Sequence, residues 1–406
     1  MPITFQQHQL ANGLRIIAEV DPDAHSSAVG FFVNTGARDE APAIMGVSHF
    51  LEHMMFKGSD DLSADDINRL FDEIGARNNA YTSNELTCFH AQVLPEYLPN
   101  ATQLLARMLR PALRTEDFDL EKNVILEEIA MYKDNPFWVL YEACVAKHYA
   151  DHPLGHRVLG TTESVSALSR DQMMQYFAQR YSADNTVLSL AGRVDFDATV
   201  KMIEDLCGSW VRTGATRNDA RPQTHSDSLT MRDERVNRAY VISIMPAPAV
   251  QDDRRYAASL LMQVLGGSDN SRLHWALIET GIAEEAQSAY DAHQGTGDYF
   301  VYASGDPDRL DEIEAIIDQQ LLSLVDSLTP ADLEKMRMKI ATSATLSGER
   351  PNDRMQRIGR QWLAHGRHRS LEEELERIES VTIDDLREVA SLYPFTQRTT
   401  GRLIPA

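Results

Sequence analysis

The chain has 406 residues, 43% hydrophobic and 25% charged, and its 39 Lys and Arg against 61 Asp and Glu give a formal charge of −22. That length allows two domains with cores of their own and argues against global disorder, while no apolar run nears the ~18 residues of a spanning helix. So negative a chain is a poor partner for nucleic acid or an anionic membrane surface, and Cys88, Cys144 and Cys207, without CxxC spacing, read as buried thiols rather than a disulfide framework or a cysteine zinc site.

The first residues, MPITFQQHQLANG, show neither a basic n-region nor an apolar h-region, so a cytoplasmic location is expected. Two alternating apolar runs flank Asn12-Gly13, a hairpin signal, and SAVGFFV at Ser27 to Val33 follows as a third strand. From Met45 to Lys57 the spacing becomes helical, and it does so again at Ser63 to Ile74, Pro95 to Met108, Thr115 to Asp134, Arg170 to Tyr181 and Asp195 to Trp210. Short strands fit at Ala80 to Ala91 and Thr186 to Ala191. The segment after Trp210 is polar and rich in Thr, Asn, Asp, Ser and Pro, a surface linker placed at 213–227. The order of elements then repeats: strands near Ser228 to Met231 and Ala239 to Met245, a helix at Asp252 to Leu265, strands at Glu284 to Ala292 and Tyr299 to Ala303, then striped helices to Leu392. This gives an α+β fold of two domains, 1–212 and 228–406, each an antiparallel-rich sheet flanked by helices, in the pattern of a duplication.

The segment GVSHFLEHMMFKGS holds His49, Glu52 and His53 within a helical pattern. Four residues are about one turn, so both imidazoles project from one face, with Glu52 beside them. This HxxEH order is the inverted form of the HExxH zinc peptidase signature. A catalytic zinc needs a third protein ligand, and EKNVILEEIAMYKD offers Glu121 and Glu128 seven residues apart on one helix face, with Glu127 rotated away. Glu128 is the expected third ligand, and Glu121 a second acidic group near the metal.

HFLEHMMFKGS, the helix EKNVILEEI and the intervening NAYTSNELTCF resemble the pitrilysin-type (M16) zinc metallopeptidases. The chain is similar to bacterial members of the mitochondrial processing peptidase branch, and the likeness extends through Gly160, Phe177, Tyr181, Asn185 and Gly192. The resemblance implies a fold of two homologous domains of the LuxS/mitochondrial processing peptidase type and one zinc per chain held by His49, His53 and Glu128. It further implies Glu52 as general base, Glu121 as accessory acid, and an edge strand around Asn79, Ala80 and Tyr81 that binds extended peptides by strand addition.

Relatives carry an Arg and a Tyr in a second-half segment, where this chain reads SRLHWALIETGIAEEA with Ile278 and Glu284 at those positions; a shifted match would put Arg272 or Tyr290 in their place. Neither Ile278 nor Glu284 can donate to an oxyanion. The expected enzyme is therefore a zinc metalloendopeptidase subunit that needs a homologous, Arg/Tyr-bearing partner in a heterodimer, or failing that a weakly active homodimer. A non-enzymatic scaffold subunit with a structural metal is the alternative. His148, His152 and His156 read as surface or turn residues, because Pro153 interrupts any helix through them, and Arg354, Arg357 and Arg360 as a solvated or partner-facing helix side.

Overall fold

The computed structural model describes residues 2–218, 220–267 and 269–406. The strands are β1 (Thr4–Gln9), β2 (Arg15–Val20), β3 (Ser27–Val33), β4 (Gly58–Ser59), β5 (Leu62–Ser63), β6 (Arg77–Thr82), β7 (Thr87–Val93), β8 (Thr186–Gly192), β9 (Asp227–Asp233), β10 (Ala239–Ala247), β11 (Ala283–His293), β12 (Thr296–Gly305) and β13 (Thr399–Pro405). The helices of the first half are α1 (Val47–Met55), α2 (Ala64–Glu73), α3 (Leu98–Met108), α4 (Thr115–Tyr132), α5 (Pro136–Tyr149), α6 (Thr162–Ala167), α7 (Arg170–Arg180) and α8 (Phe196–Cys207). Those of the second are α9 (Arg255–Gly266), α10 (Leu310–Ser323), α11 (Pro330–Gly348), α12 (Pro351–His365), α13 (Leu371–Ser380) and α14 (Ile383–Leu392). No helix among the described residues is long and apolar enough to cross a membrane.

The chain divides into two compact units that interleave along the sequence. The first takes Met1–Ala130, His156–Asn218 and Leu346–Arg369; the second takes Met131–Gly155, Asp219–Thr345 and Ser370–Ala406. Each unit therefore borrows a segment from the other side of the 213–227 stretch.

The first unit is built on a six-stranded sheet in the order β1-β2-β8-β3-β7-β6, in which only β2 and β8 run parallel. Every residue of β3 and β8 is buried, so both faces of these central strands are covered. Alternate residues serve the two sides. Val29, Phe31, Leu188, Leu190 and Phe89 join the main core with α1, α3 and α8, whereas Phe32, Cys88, Val187 and Ala191 face Met355 and Ile358 of α12. A Cβ at Gly359 of α12 would collide with the Phe32 ring, so glycine there sets the close approach of helix to sheet.

The second unit holds a five-stranded sheet in the order β11-β12-β10-β13-β9, with β13 and β9 parallel and the rest antiparallel. One face packs α9, α10 and α14 in a core around Val241, Met245, Tyr299 and Val301. The other is covered by α5, whose Leu140 and Cys144 meet Ile242, Ile244 and Leu403; a Cβ on Gly401 of β13 would strike the Cys144 sulfur.

Read from the parallel pair outward, β2-β8-β3-β7-β6 and β9-β13-β10-β12-β11 have the same order and the same strand senses. The helix on the second face is equivalent too: α12 lies on β2, β8 and β3, and α5 on β9, β13 and β10. The repeated order expected from the sequence is thus a repeated topology, with α5 and α12 each supplied by the opposite half of the chain.

Local readings differ at several points. Ala80 to Ala91, expected as a single strand, is the hairpin of β6 and β7, which turns between Thr82 and Thr87. Within the stretch expected as a linker, the Arg217 side chain is 4% exposed and pairs with Asp39 at 2.7 Å. His148 is fully buried, with Nδ1 3.2 Å from Thr399 Oγ1, so its surface reading is overturned by a partner 251 positions away. Arg354 is 3% exposed and Arg357 is half-buried, both paired to Glu19, so only Arg360 of that trio stays on an exposed side. All three cysteines are buried and free, as expected.

Candidate metal centre

Helix α1 exists because Val47, Phe50, Leu51, Met54 and Met55 are drawn completely into the first unit's core. That fixes its rotation and turns His49, Glu52 and His53 to the remaining face. Its N-terminus is capped from outside the helix. The Glu40 carboxyl, itself buried, accepts from the backbone N–H of Gly46 at 2.6 Å and of Ser48 at 2.7 Å, satisfying donors that the helix cannot pair internally. Burial dominates over those two bonds and pushes the Glu40 carboxyl up to about 8.

Helix α4 brings the second set of groups. Phe118, Ile125 and Ile129 seat it in the core; Glu121 is buried on the same side, Glu128 is half-buried and Glu127 is exposed. One ligand atom each from His49, His53 and Glu128 lie within 4.8 Å of one another. Glu128 Oε2 stands 3.8 Å from His49 Nε2 and 3.6 Å from His53 Nε2. Zinc–nitrogen and zinc–oxygen bonds of about 2.0–2.2 Å in a tetrahedron place neighbouring donors roughly 3.3–3.6 Å apart, so the residues fit that ion with little adjustment. The set leaves a fourth position open.

Behind the ligands, Glu121 Oε1 lies 2.8 Å from His53 Nδ1 and its other oxygen pairs with Lys57. A carboxylate on Nδ1 fixes the tautomer that leaves Nε2 free as a donor to metal. Burial works against the Glu121 charge, but the His53 bond and the Lys57 ammonium outweigh it and hold this carboxyl below its usual range. For His53, burial opposes protonation, yet Glu121, Glu128 and Glu52 together raise its pKa. His49, more deeply buried and next to His53, is lowered to about 3 and is thus a neutral donor. Glu52 is raised by burial, with Glu128 adding to the effect, while the Thr82 hydroxyl donates to its Oε2 at 2.7 Å and partly offsets it.

The comparisons with known proteins follow this geometry. The chain is 34% identical over 389 residues to the uncharacterized zinc protease YmxG of Bacillus subtilis, covering 95% of each chain. It is 35% identical over 388 residues to an uncharacterized zinc protease of Mycobacterium tuberculosis, covering 94% of this chain and 89% of that one. Residues 15–162 match the family described as Insulinase (Peptidase family M16), and residues 167–340 match the Peptidase M16 inactive domain. The chain belongs to the M16 peptidase family. Among solved structures, the crystal structure of a protease from Helicobacter pylori superposes with a TM-score of 0.92 at 20% identity, over 99% of this chain and 100% of that one. A chain of complex III2 from Candida albicans has the same fold, with a TM-score of 0.85 at 18% identity over 98% and 95%.

In this M16 chain the second-half positions read as Ile278 and Glu284 lie in the second unit. Ile278 ends a π-helical turn, and Glu284 pairs with Arg238 at 2.6 Å. The alternatives to them are engaged elsewhere: Arg272 donates to Ser327 O at 3.0 Å and to Leu324 O at 3.2 Å, and the Tyr290 hydroxyl donates to Pro248 O at 2.7 Å. Asn79, Ala80 and Tyr81 lie on β6, the outer strand of the first unit's sheet. Sequence reasoning missed Lys57, Thr82 and Glu40. Lys57 lies just past the end of α1 at Met55, and Thr82 and Glu40 depend on strand register and loop path, which leave no local trace.

Proposed function

We propose that this M16 chain is a zinc-dependent metalloendopeptidase subunit that hydrolyses peptides or unfolded segments, with one zinc per chain on His49, His53 and Glu128. The observation that supports it most directly is the convergence of those three donors beside a half-buried carboxylate, Glu52. A structural metal has no use for such a neighbour.

Bound zinc would supply Lewis acidity toward a peptide carbonyl and make a water easier to deprotonate. Glu52 then acts as the base: with Oε2 held by Thr82, it takes the proton of the attacking water at Oε1 and passes it to the leaving amide nitrogen. Its raised pKa brings it nearer neutral pH, where it can both accept and return a proton. Glu121 keeps His53 in the tautomer that binds through Nε2. The outer edge of β6, at Asn79, Ala80 and Tyr81, takes an extended peptide as an added strand. Ala80 N–H now donates to the Asn79 side-chain oxygen at 2.9 Å, a local bond that an incoming strand displaces.

The reading includes a partner. With Ile278 and Glu284 where relatives carry Arg and Tyr, oxyanion donors come from a homologous subunit, and the active form is a heterodimer in the cytoplasm. The chain is to be purified with any stoichiometric homologue and assayed on a quenched peptide, alone and mixed. Activity only in the mixture is expected. Glu52→Gln in that mixture should lose at least about 100-fold in turnover while keeping its zinc. Full activity of the chain alone, verified free of partner, sinks the heterodimer; activity in Glu52→Gln sinks the role of Glu52.

A further inference from the structure

An edge strand that receives substrate has a structural problem. Strand β6 is hydrogen-bonded to β7 alone, so its position across the free edge is not fixed by a second ladder. Side chains must supply what the ladder does not, and along a strand they do so on two alternating faces. On one face Ala80 joins the main core and the Thr82 hydroxyl reaches Glu52. On the other face Tyr81 points at α12.

Its hydroxyl donates to Gln356 Oε1 at 2.8 Å and accepts from Arg360, with Nε at 3.1 Å and Nη2 at 3.0 Å. The Arg360 guanidinium carbon lies 5.2 Å from the centre of the Tyr81 ring. Gln356 in turn faces Cys88, the cross-strand partner of Tyr81 on β7. Three hydrogen bonds thus converge on one phenol oxygen, and both helix residues come from a segment 275 and more positions downstream. Nothing in the zinc chemistry uses these groups, and a single packing residue at this place would not need them.

We propose that Tyr81, Gln356 and Arg360 form a positioning clamp that sets the register of the substrate-binding edge of β6 against Glu52. The clamp deepens the proposed peptidase reading and rests on it. Because Tyr81 lies within the strand, its movement displaces the backbone groups of β6 that would pair with an extended peptide. The device belongs to α12, so the second half of the chain contributes to substrate placement without touching substrate or metal.

The test uses the full chain with its partner, zinc-loaded, in wild-type form and as Tyr81→Phe, Arg360→Met and Arg360→Lys. Two readouts are taken. Hydrolysis is measured on an extended peptide of about ten residues and on a dipeptide analogue too short to pair along β6; hydrogen exchange is followed at the amides of residues 79–82. Tyr81→Phe and Arg360→Met should lower kcat/KM about tenfold on the long peptide, largely through KM, and less than twofold on the short one. Arg360→Lys should recover part of the loss, and exchange at 79–82 should quicken about fivefold in both damaging variants, with zinc content unchanged. Equal losses on the two substrates, or unchanged exchange, overturn the clamp. If no wild-type mixture hydrolyses peptide but exchange still quickens, the peptidase reading fails and the substrate-positioning role falls with it; unchanged exchange in that case removes the clamp itself.

Discussion

Glu19 on β2 is the deepest ionic anchor of α12, and Glu19→Gln tests how much the borrowed helix depends on it. One carboxylate holds two arginines and a histidine: Arg354 Nε at 3.0 Å, Arg357 Nη2 at 2.6 Å and His368 Nε2 at 2.8 Å. Burial alone would raise its pKa, but the bonds to His368, Arg357 and Arg354 prevail and bring it from 4.5 down to about 2. A folded-state value below the unfolded one means that the stabilisation is complete above about pH 4.5 and is lost as pH falls through about 2. The drop corresponds to about 3 kcal/mol. Removing one partner of a buried pair costs about 3–5 kcal/mol by a separate route. Arg354 keeps Asp21 at 3.3 Å, which favours the lower end, so the two routes agree near 3. The assay is urea unfolding followed by tryptophan fluorescence in a Trp138→Phe, Trp275→Phe background, leaving Trp210 and Trp362 to report the first unit. Glu19→Gln should cost about 3 kcal/mol at pH 7, and the gap to wild type should close as pH falls from 4.5 to 2. A gap that stays constant over that range, or one under about 1 kcal/mol at pH 7, refutes the reasoning.

Three other perturbations address separate links. Lys57→Met leaves Glu121, 5% exposed, without its cation and should weaken zinc binding about 10–100-fold in chelator competition, by loosening the hold on His53. Equal affinity in the two proteins excludes Lys57 from the support of the site. Gly359→Leu drives a side chain into the Phe32 ring and should destabilise the first unit by about 1–3 kcal/mol in the same urea assay, even though leucine gains about 1 kcal/mol of helix propensity; a neutral result means that α12 can lift from the sheet. Arg217→Met removes one of the two arginines that pair with Asp39 and should make residues 213–227 cut several times faster in limited proteolysis, whereas an unchanged rate would show that the pairing does not anchor the segment.

What the sequence made legible was local in origin. SAVGFFV matches β3 residue for residue; the face of α1 follows from helical spacing because that helix has one apolar side, and the face of α4 that matters from the seven-residue spacing of Glu121 and Glu128. Helix α5 was missed for the converse reason: PFWVLYEACVAKHY is apolar on several faces and has no single stripe. Strand β13 was missed because TTGRLIP is short and carries Gly and Pro, although its seven residues bridge β10 and β9. The β6–β7 turn escaped notice although Thr82-Ser83-Asn84-Glu85 is a run of polar, turn-forming residues. Polar side chains misled most. Arg354 and His148 look like surface residues until Glu19 and Asp298, 335 and 150 positions away, are brought beside them by the fold. A buried ion pair is specified by tertiary structure, so half of it in a sequence carries the signal of a solvated charge.

The repeated topology makes one comparison within the molecule possible. Strand β6 corresponds to β11, and α12 to α5, so the two units present the same edge strand and the same covering helix in separate settings. In the second unit α5 meets the sheet through aromatic rings: Phe137 lies 5.0 Å from Tyr302 and Tyr141 5.8 Å from Phe300. Those contacts fall on β12, one strand inside the edge. In the first unit α12 reaches past that strand and fastens the edge itself, with Arg360 and Gln356 on Tyr81. Covering a sheet explains the apolar half of both helices. It does not by itself explain the polar side chains that α12 extends to the outer strand of the unit holding His49, His53 and Glu128, and these are accounted for if β6 has to hold a peptide in register.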